Sequence, residues 1–202
     1  MTSTETKAYL SCAETAKLLR AALKKQFPTV KFSVRSKTYS GGASITVGYT
    51  DGPTVKAVRQ VTERFNGASF DGMIDLKSYK AHFLLPDGMV VFQSHYGHCY
   101  RNEESPATLD DFPEGTRIVH FGADFVFVER DLSESVMAQL TAYVEECVGQ
   151  PFEANAWVES WKKLPVCAIN GSGWMSDIRY RIKSAMTVAD DGTISYEPDP
   201  YR

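Results

Sequence analysis

VKFSVRS (30–36), KTYSGG (37–42), ASITVGY (43–49), TDGP (50–53), TVKAVRQVTERF (54–65) and NGASFDGMIDLKSY (66–79) follow one another without a break, and their reading decides the fold. Val30, Phe32 and Val34 alternate with Lys31, Ser33 and Arg35, and Ile45, Val47 and Tyr49 alternate with Ser44, Thr46 and Gly48. A period of two marks half-buried strands, one face on a core and one on water. Gly41 and Gly42 supply the backbone freedom a reversal needs, which predicts a hairpin with a long loop over 37–42. Asp51-Gly52-Pro53 breaks the second strand and opens a helix with Pro53 at its first position. That helix, Thr54 to about Phe65, should bury Val55, Val58, Val61 and Phe65.

Working outward toward the N-terminus, residues 1–8 are polar and expected to fray, and Ser11-Cys12-Ala13-Glu14 has the form of a capping box. Cys12, Ala16, Leu19, Leu23 and Phe27 then share one helical face, Lys17, Arg20 and Lys24 form a basic stripe beside it, and Pro28 stops the helix. The order α-β-β-α needs further strands, because two strands alone rarely hold in water. The expected class is therefore α+β, an antiparallel sheet built from hairpins with helices packed on it.

Toward the C-terminus, 66–75 reads as an ordered loop with Phe70 and Met73 pinned into the core. His82–Leu85, the turn Pro86-Asp87-Gly88 and Met89–Phe92 form a second hairpin. Residues 102–115 read as an acidic surface loop, and Arg117–Glu129 as one bent strand or a hairpin, irregular at Gly122-Ala123-Asp124. Ser133 caps a helix to about Val148, and Trp157 and Trp161 predict a short helix within 151–163. Ile178, Tyr180 and Ile182 alternate with Arg179, Arg181 and Lys183, which predicts a closing hairpin turned by Asp191-Gly192 and a second basic sheet face. The tail EPDPYR reads as extended.

Composition narrows the function classes. The 202 residues carry a net charge of -3, 43% hydrophobic and 23% charged residues, ordinary for a globular protein, and no run of about 18 apolar residues to span a membrane. The start lacks the layout of a secretory signal and the four cysteines are scattered, so the expectation is a cytoplasmic chain with reduced thiols. Charge is uneven: residues 1–66 hold eleven Lys/Arg against four Asp/Glu, and the remainder is acidic. The expected division is a basic module over 1–80 and an acidic, β-rich part over 81–202, packed as one globule.

Reaction chemistry leaves few marks. There is no nucleophile elbow, dinucleotide fingerprint or kinase set, and Asn170-Gly171-Ser172-Gly173 lacks the Lys-Ser/Thr of a phosphate loop. His95, His98 and Cys99 are within reach of one metal but lack an evident fourth ligand, so no metal and no cofactor are expected. Asp71, Asp75, Asp87, Asp124 and Glu129 would be the raw material of a metal-dependent nuclease, although their spacing does not require them to meet. The outer face of the hairpin is the better lead. Lys31, Arg35 and Lys37, with Tyr39, Gly41 and Gly42 in the loop, would meet phosphates or a partner's carboxylates, unless they dock on acids such as Asp110 and Asp111.

SCAETAKLLR (11–20), FSVRSKTYSGGASI (32–45), TDGP (50–53) and FDGMIDLK (70–77) together resemble the large polyvalent protein-associated domain families, strongly over residues 9–79 and more loosely over 117–129. These are small accessory modules of phage and conjugative-element proteins. The resemblance implies an accessory role in a mobile element and carries over no catalytic residue. Three functions stay open: a nucleic-acid-binding module, a factor that binds a nucleic-acid-handling host protein in counter-defence, and a nuclease or other hydrolase with an unfamiliar site.

Overall fold

The computed structural model describes residues 7–95, 108–159, 161 and 172–197. They form β1 (Ala8–Leu10), α1 (Cys12–Gln26), β2 (Ser33–Tyr39), β3 (Gly42–Thr50), α2 (Val55–Thr62), β4 (Ala68–Asp71), β5 (Leu76–Leu84), β6 (Val90–His95), β7 (Arg117–Phe121), β8 (Phe125–Asp131), α3 (Glu134–Val148), α4 (Met175–Ala185), β9 (Met186–Val188) and β10 (Ile194–Tyr196). The class is α+β: β2–β3, β4–β5, β5–β6, β5–β7 and β9–β10 pair antiparallel, whereas β1 runs parallel to β7, and β3 and β8 run in the same direction, Ala43 meeting Asp124 at one end and Asp51 meeting Asp131 at the other. The chain divides into two compact units, residues 1–48 with 58–129, and residues 49–57 with 130–202. Strand β5 runs unbroken through residue 80.

In the first unit the capping box forms as its sequence demands. The Glu14 N–H donates to Ser11 Oγ at 3.2 Å and the Ser11 N–H to Glu14 Oε2 at 2.8 Å. Cys12, Thr15, Ala16, Leu19 and Leu23 make the buried stripe of α1. The β2–β3 pair is tighter than the glycines alone suggested. Tyr39 pairs with Gly42, so only Ser40 and Gly41 turn the chain, and Gly41 takes φ +88. Lys37 and Tyr39 thus belong to the strand, while Lys31 lies ahead of it. Val34 faces inward with Ala43, Ile45 and Val47, and β2 is an edge strand in the order β2-β3-β8. Arg20 covers part of that edge by donating to the Val34 carbonyl at 2.7 Å.

The second sheet runs β1-β7-β5-β4, with β6 also on β5. Ala8, the last of the residues expected to fray, instead opens strand β1, because the backbone of 8–10 pairs with β7. Residues 66–75 also depart from the expected loop: β4 and β5 form a hairpin with Asp71 opposite Leu76. Phe70 and Met73 are not in the core, and Met73 at the tip is 96% exposed. Phe83, Leu85 and Ile118 centre one core cluster on β5 and β7. The break at 122–124 carries the chain from β7 in one sheet to β8 in the other.

The second unit buries Val136, Leu140 and Val144 of α3 against Ile178 and Ile182 of α4, Val158, Trp161, Met175, Met186 and Val188. Gly149 closes α3 in the left-handed conformation at φ +77. Residues 175–185 are a helix, not a strand: Met175, Ile178 and Ile182 satisfy a helical period and are all buried. Arg179 lies 4.1 Å over the Phe152 ring and Arg181 pairs with Asp177 at 3.0 Å, so no second basic sheet face exists there. The hairpin that follows is β9–β10, turned at Asp191-Gly192. No helix spans 151–159; Trp157 bridges to Trp174 instead. Arg130, 7% exposed, donates to the carbonyls of Asp51 (3.0 Å), Gly52 (2.9 Å), Met186 (2.7 Å) and Lys183 (3.3 Å). The proposed His95-His98-Cys99 ligand cluster, Gly171 and the tail lie largely outside the described residues.

Candidate functional site

The first unit contains an aromatic-walled cleft of about 610 Å³ where its two sheets meet. Its position follows from close backbone approach. The Asp124 N–H donates to the Ala43 carbonyl at 2.8 Å, Gly67 N–H to the Ala123 carbonyl at 2.8 Å, and Ala68 N–H to the Asp124 carbonyl at 3.1 Å. The crossing segment 122–124 is thereby tied both to the start of β3 and to the entry of β4. A side chain at Gly42 would meet the Asp124 carboxylate and, at 3.2 Å, the Tyr39 ring; one at Gly67 would meet the Phe121 carbonyl. Both positions need glycine for space.

Three tyrosines come to this cleft from three strands. Tyr9 of β1 is 79% exposed and stacks on His120 of β7, centroids 4.8 Å apart and planes 11° from parallel. The stack is a consequence of register, since Tyr9 and His120 are direct partners in the parallel pair. Tyr39 ends β2, and Tyr79 lies on β5; both rings are largely exposed. His120 Nδ1 is 3.1 Å from the Lys80 carbonyl, which only accepts, so that nitrogen carries a proton and donates.

The cleft is polar at its base. Asp124 is buried, and its Oδ2 accepts from Lys77 Nζ at 2.8 Å and from the Ala43 N–H at 3.3 Å. Lys77 also donates to the Gly41 carbonyl at 3.2 Å and sits 5.0 Å from the Tyr79 ring centre. Its hydrogen bond to Asp124 raises the Lys77 pKa, so the ammonium is charged at any ordinary pH. Oδ1 of Asp124 has no hydrogen-bond partner among the described residues. Asp124 thus brings an acceptor to the lining of the cleft.

Behind it, His82 on β5 is buried against Phe121 (4.8 Å) and Phe92 (5.7 Å), and its Nδ1 has no partner. Burial, with Lys80 and His120 nearby, pushes its pKa down to about 4. It is a neutral core residue. Burial likewise raises the Cys12 thiol above its usual range, consistent with an inert packing role.

Of the residues expected at the site, Tyr39 and Gly42 line the cleft, and Gly41 supplies the carbonyl that holds Lys77. Arg35 and Lys37 project on the same side of β2 as Tyr39, two residues apart, and are exposed. Lys31 is exposed but stands outside the strand. None of these three cations pairs with a carboxylate among the described residues, Asp110 and Asp111 included. Tyr9, Lys77, Tyr79 and His120 were not foreseen, and Asp124 was foreseen only as an irregularity and a spare acid. No three His, Cys, Asp or Glu among the described residues gather to hold a metal, so the five acids of the nuclease reading are not brought together. No helix among those residues is long and apolar enough to cross a membrane.

The family model described as large polyvalent protein associated domain 29 matches residues 10–133. Among curated proteins and solved structures, none matches.

Proposed function

Because the chain belongs to the large polyvalent protein associated domain 29 family, we propose that it is a non-catalytic accessory protein of a phage or mobile element that binds nucleic acid through the basic face of its β2–β3 hairpin. One observation carries the reading: Arg35, Lys37 and Tyr39 are exposed on one side of an edge strand, the two cations have no carboxylate partner among the described residues, and the row leads to the tyrosine-walled cleft. Two cations in register along a strand neutralise successive backbone charges and release counterions. For a single strand each such contact contributes roughly 0.7 to the slope of log K against log salt. Arg35→Ala with Lys37→Ala should therefore flatten that slope by about 1.4 and weaken binding at low salt. An unchanged slope, or no binding by the wild-type protein, would dismiss this face as the interface.

A protein partner, such as a nucleic-acid-handling host factor countered in defence, is the second reading. It is favoured by the exposed apolar tip of the β4–β5 hairpin, where Phe70, Met73, Ile74 and Leu76 all face solvent. Capture of a host protein that survives nuclease treatment and is lost with Met73→Asp would select it over the first.

A further inference from the structure

We infer that the aromatic cleft is a pocket for one unpaired nucleobase, so that the nucleic acid this protein takes is single-stranded. The inference rests on the nucleic-acid reading above and deepens it. A cleft of about 610 Å³ is ample for a base and its sugar. Tyr9, Tyr39 and Tyr79 line it, and unstacked bases are held on aromatic rings of this kind. Asp124 is among its lining residues, and Oδ1 of that carboxylate is an acceptor without a partner among the described residues. The pairing edge of a nucleobase carries N–H donors that such a carboxylate oxygen can accept. In a duplex this edge is already occupied and the ring faces are stacked, so a paired base cannot enter.

Charge argues against the other ligand that three tyrosines invite, a cation. Lys77 already neutralises Asp124 at 2.8 Å, and an incoming ammonium would have to displace it. The approach from Tyr39 is lined by Lys37 and then Arg35, which repel cations and attract phosphates. A strand with its base between the tyrosines would run its backbone past these two residues, about 7 Å apart along β2.

The test is fluorescence anisotropy on the full chain with three labelled ligands about 12 nucleotides long: a mixed-sequence single strand, the same strand annealed to its complement, and an abasic strand. The single strand should bind at least about tenfold tighter than the other two. Tyr9→Leu, at a largely exposed position, should weaken the base-bearing strand about tenfold and leave the abasic strand unchanged. Asp124→Asn, nearly isosteric, should do the same, with far-UV circular dichroism as the check on folding. Should Asp124→Asn misfold, the Tyr9 variant alone still decides. Equal affinity for all three ligands, sensitive only to Arg35 and Lys37, would overturn the pocket and leave the hairpin interface standing. Binding of no strand would overturn both. Tight binding of a lysine-rich peptide in place of any strand would overturn the base and make the cleft a cation site.

Discussion

Arg130→Met removes a buried guanidinium while keeping most of the side chain's volume, and the structure sets the cost. Three of the four carbonyls it serves, those of Asp51, Gly52 and Met186, are held at 2.7 to 3.0 Å, and the Lys183 carbonyl is held more loosely at 3.3 Å. Burial lowers the pKa of the group, with Tyr49 and Asp51 opposing that shift. Each orphaned carbonyl costs at least about 1 kcal/mol, so the substitution should destabilise the second unit by about 3 kcal/mol. That is a large share of the roughly 5 to 15 kcal/mol by which a domain is stable. Arg130→Lys should recover less than half, because a single ammonium does not reproduce the five-donor planar fork. The assay is built into the sequence: Trp157, Trp161 and Trp174 are all the tryptophans, and all lie in this unit. Urea unfolding followed by tryptophan emission therefore reads the right part of the molecule, as a lowered midpoint at unchanged slope. A change below about 0.5 kcal/mol in Arg130→Met would refute the clamp, since that is the scale of surface substitutions.

Leu23→Ala, at a fully buried position on α1, should cost roughly 2 to 5 kcal/mol and lower the melting point seen by circular dichroism; an unshifted melt would mean this face is not core. Because His82 in the folded chain has a pKa near 4, below that of unfolded imidazole, the unfolded state takes up the proton first on acidification. Stability complete above about pH 6.5 should thus decline by about 3 kcal/mol toward pH 4, and His82→Leu should remove that part of the slope; parallel pH profiles would contradict it. Met73→Ser with Ile74→Ser should leave the melting point within about 0.5 kcal/mol of wild type, and a larger loss would show that the hairpin tip is covered in solution.

The parts of the fold that were legible were those where local pattern and tertiary environment agree. Ser11 and Glu14 announce α1, Ser133 announces α3, and strict alternation announces β2–β3. The failures have particular causes. In the β4–β5 hairpin, Phe70 and Met73 argued for burial, but they occupy an exposed strand end and its turn, a choice that burial rules do not anticipate. In α4, Ile178, Tyr180 and Ile182 alternate, yet Ile178 and Ile182 are also one helical turn apart, so the pattern fits both periods. β1 is three residues long and pairs with a strand more than a hundred positions away, beyond the reach of any local signal. The site shares that difficulty. Tyr39 and Gly42 were readable because a hairpin places them, whereas Asp124 meets Lys77 across 47 residues of chain.

Neither unit is one continuous piece of polypeptide. The chain leaves the first unit after Gly48, contributes residues 49–57 to the second, and returns at Val58. During synthesis Asp51 and Gly52 leave the ribosome long before Arg130, and longer still before Met186. At about 5 to 20 residues per second that interval is on the order of ten seconds. For that time a segment whose carbonyls belong inside the second unit waits while the rest of the first is made. A nascent chain halted near residue 133, where the family match ends, would hold all of the cleft and Arg130, but not the Lys183 and Met186 carbonyls that Arg130 also serves.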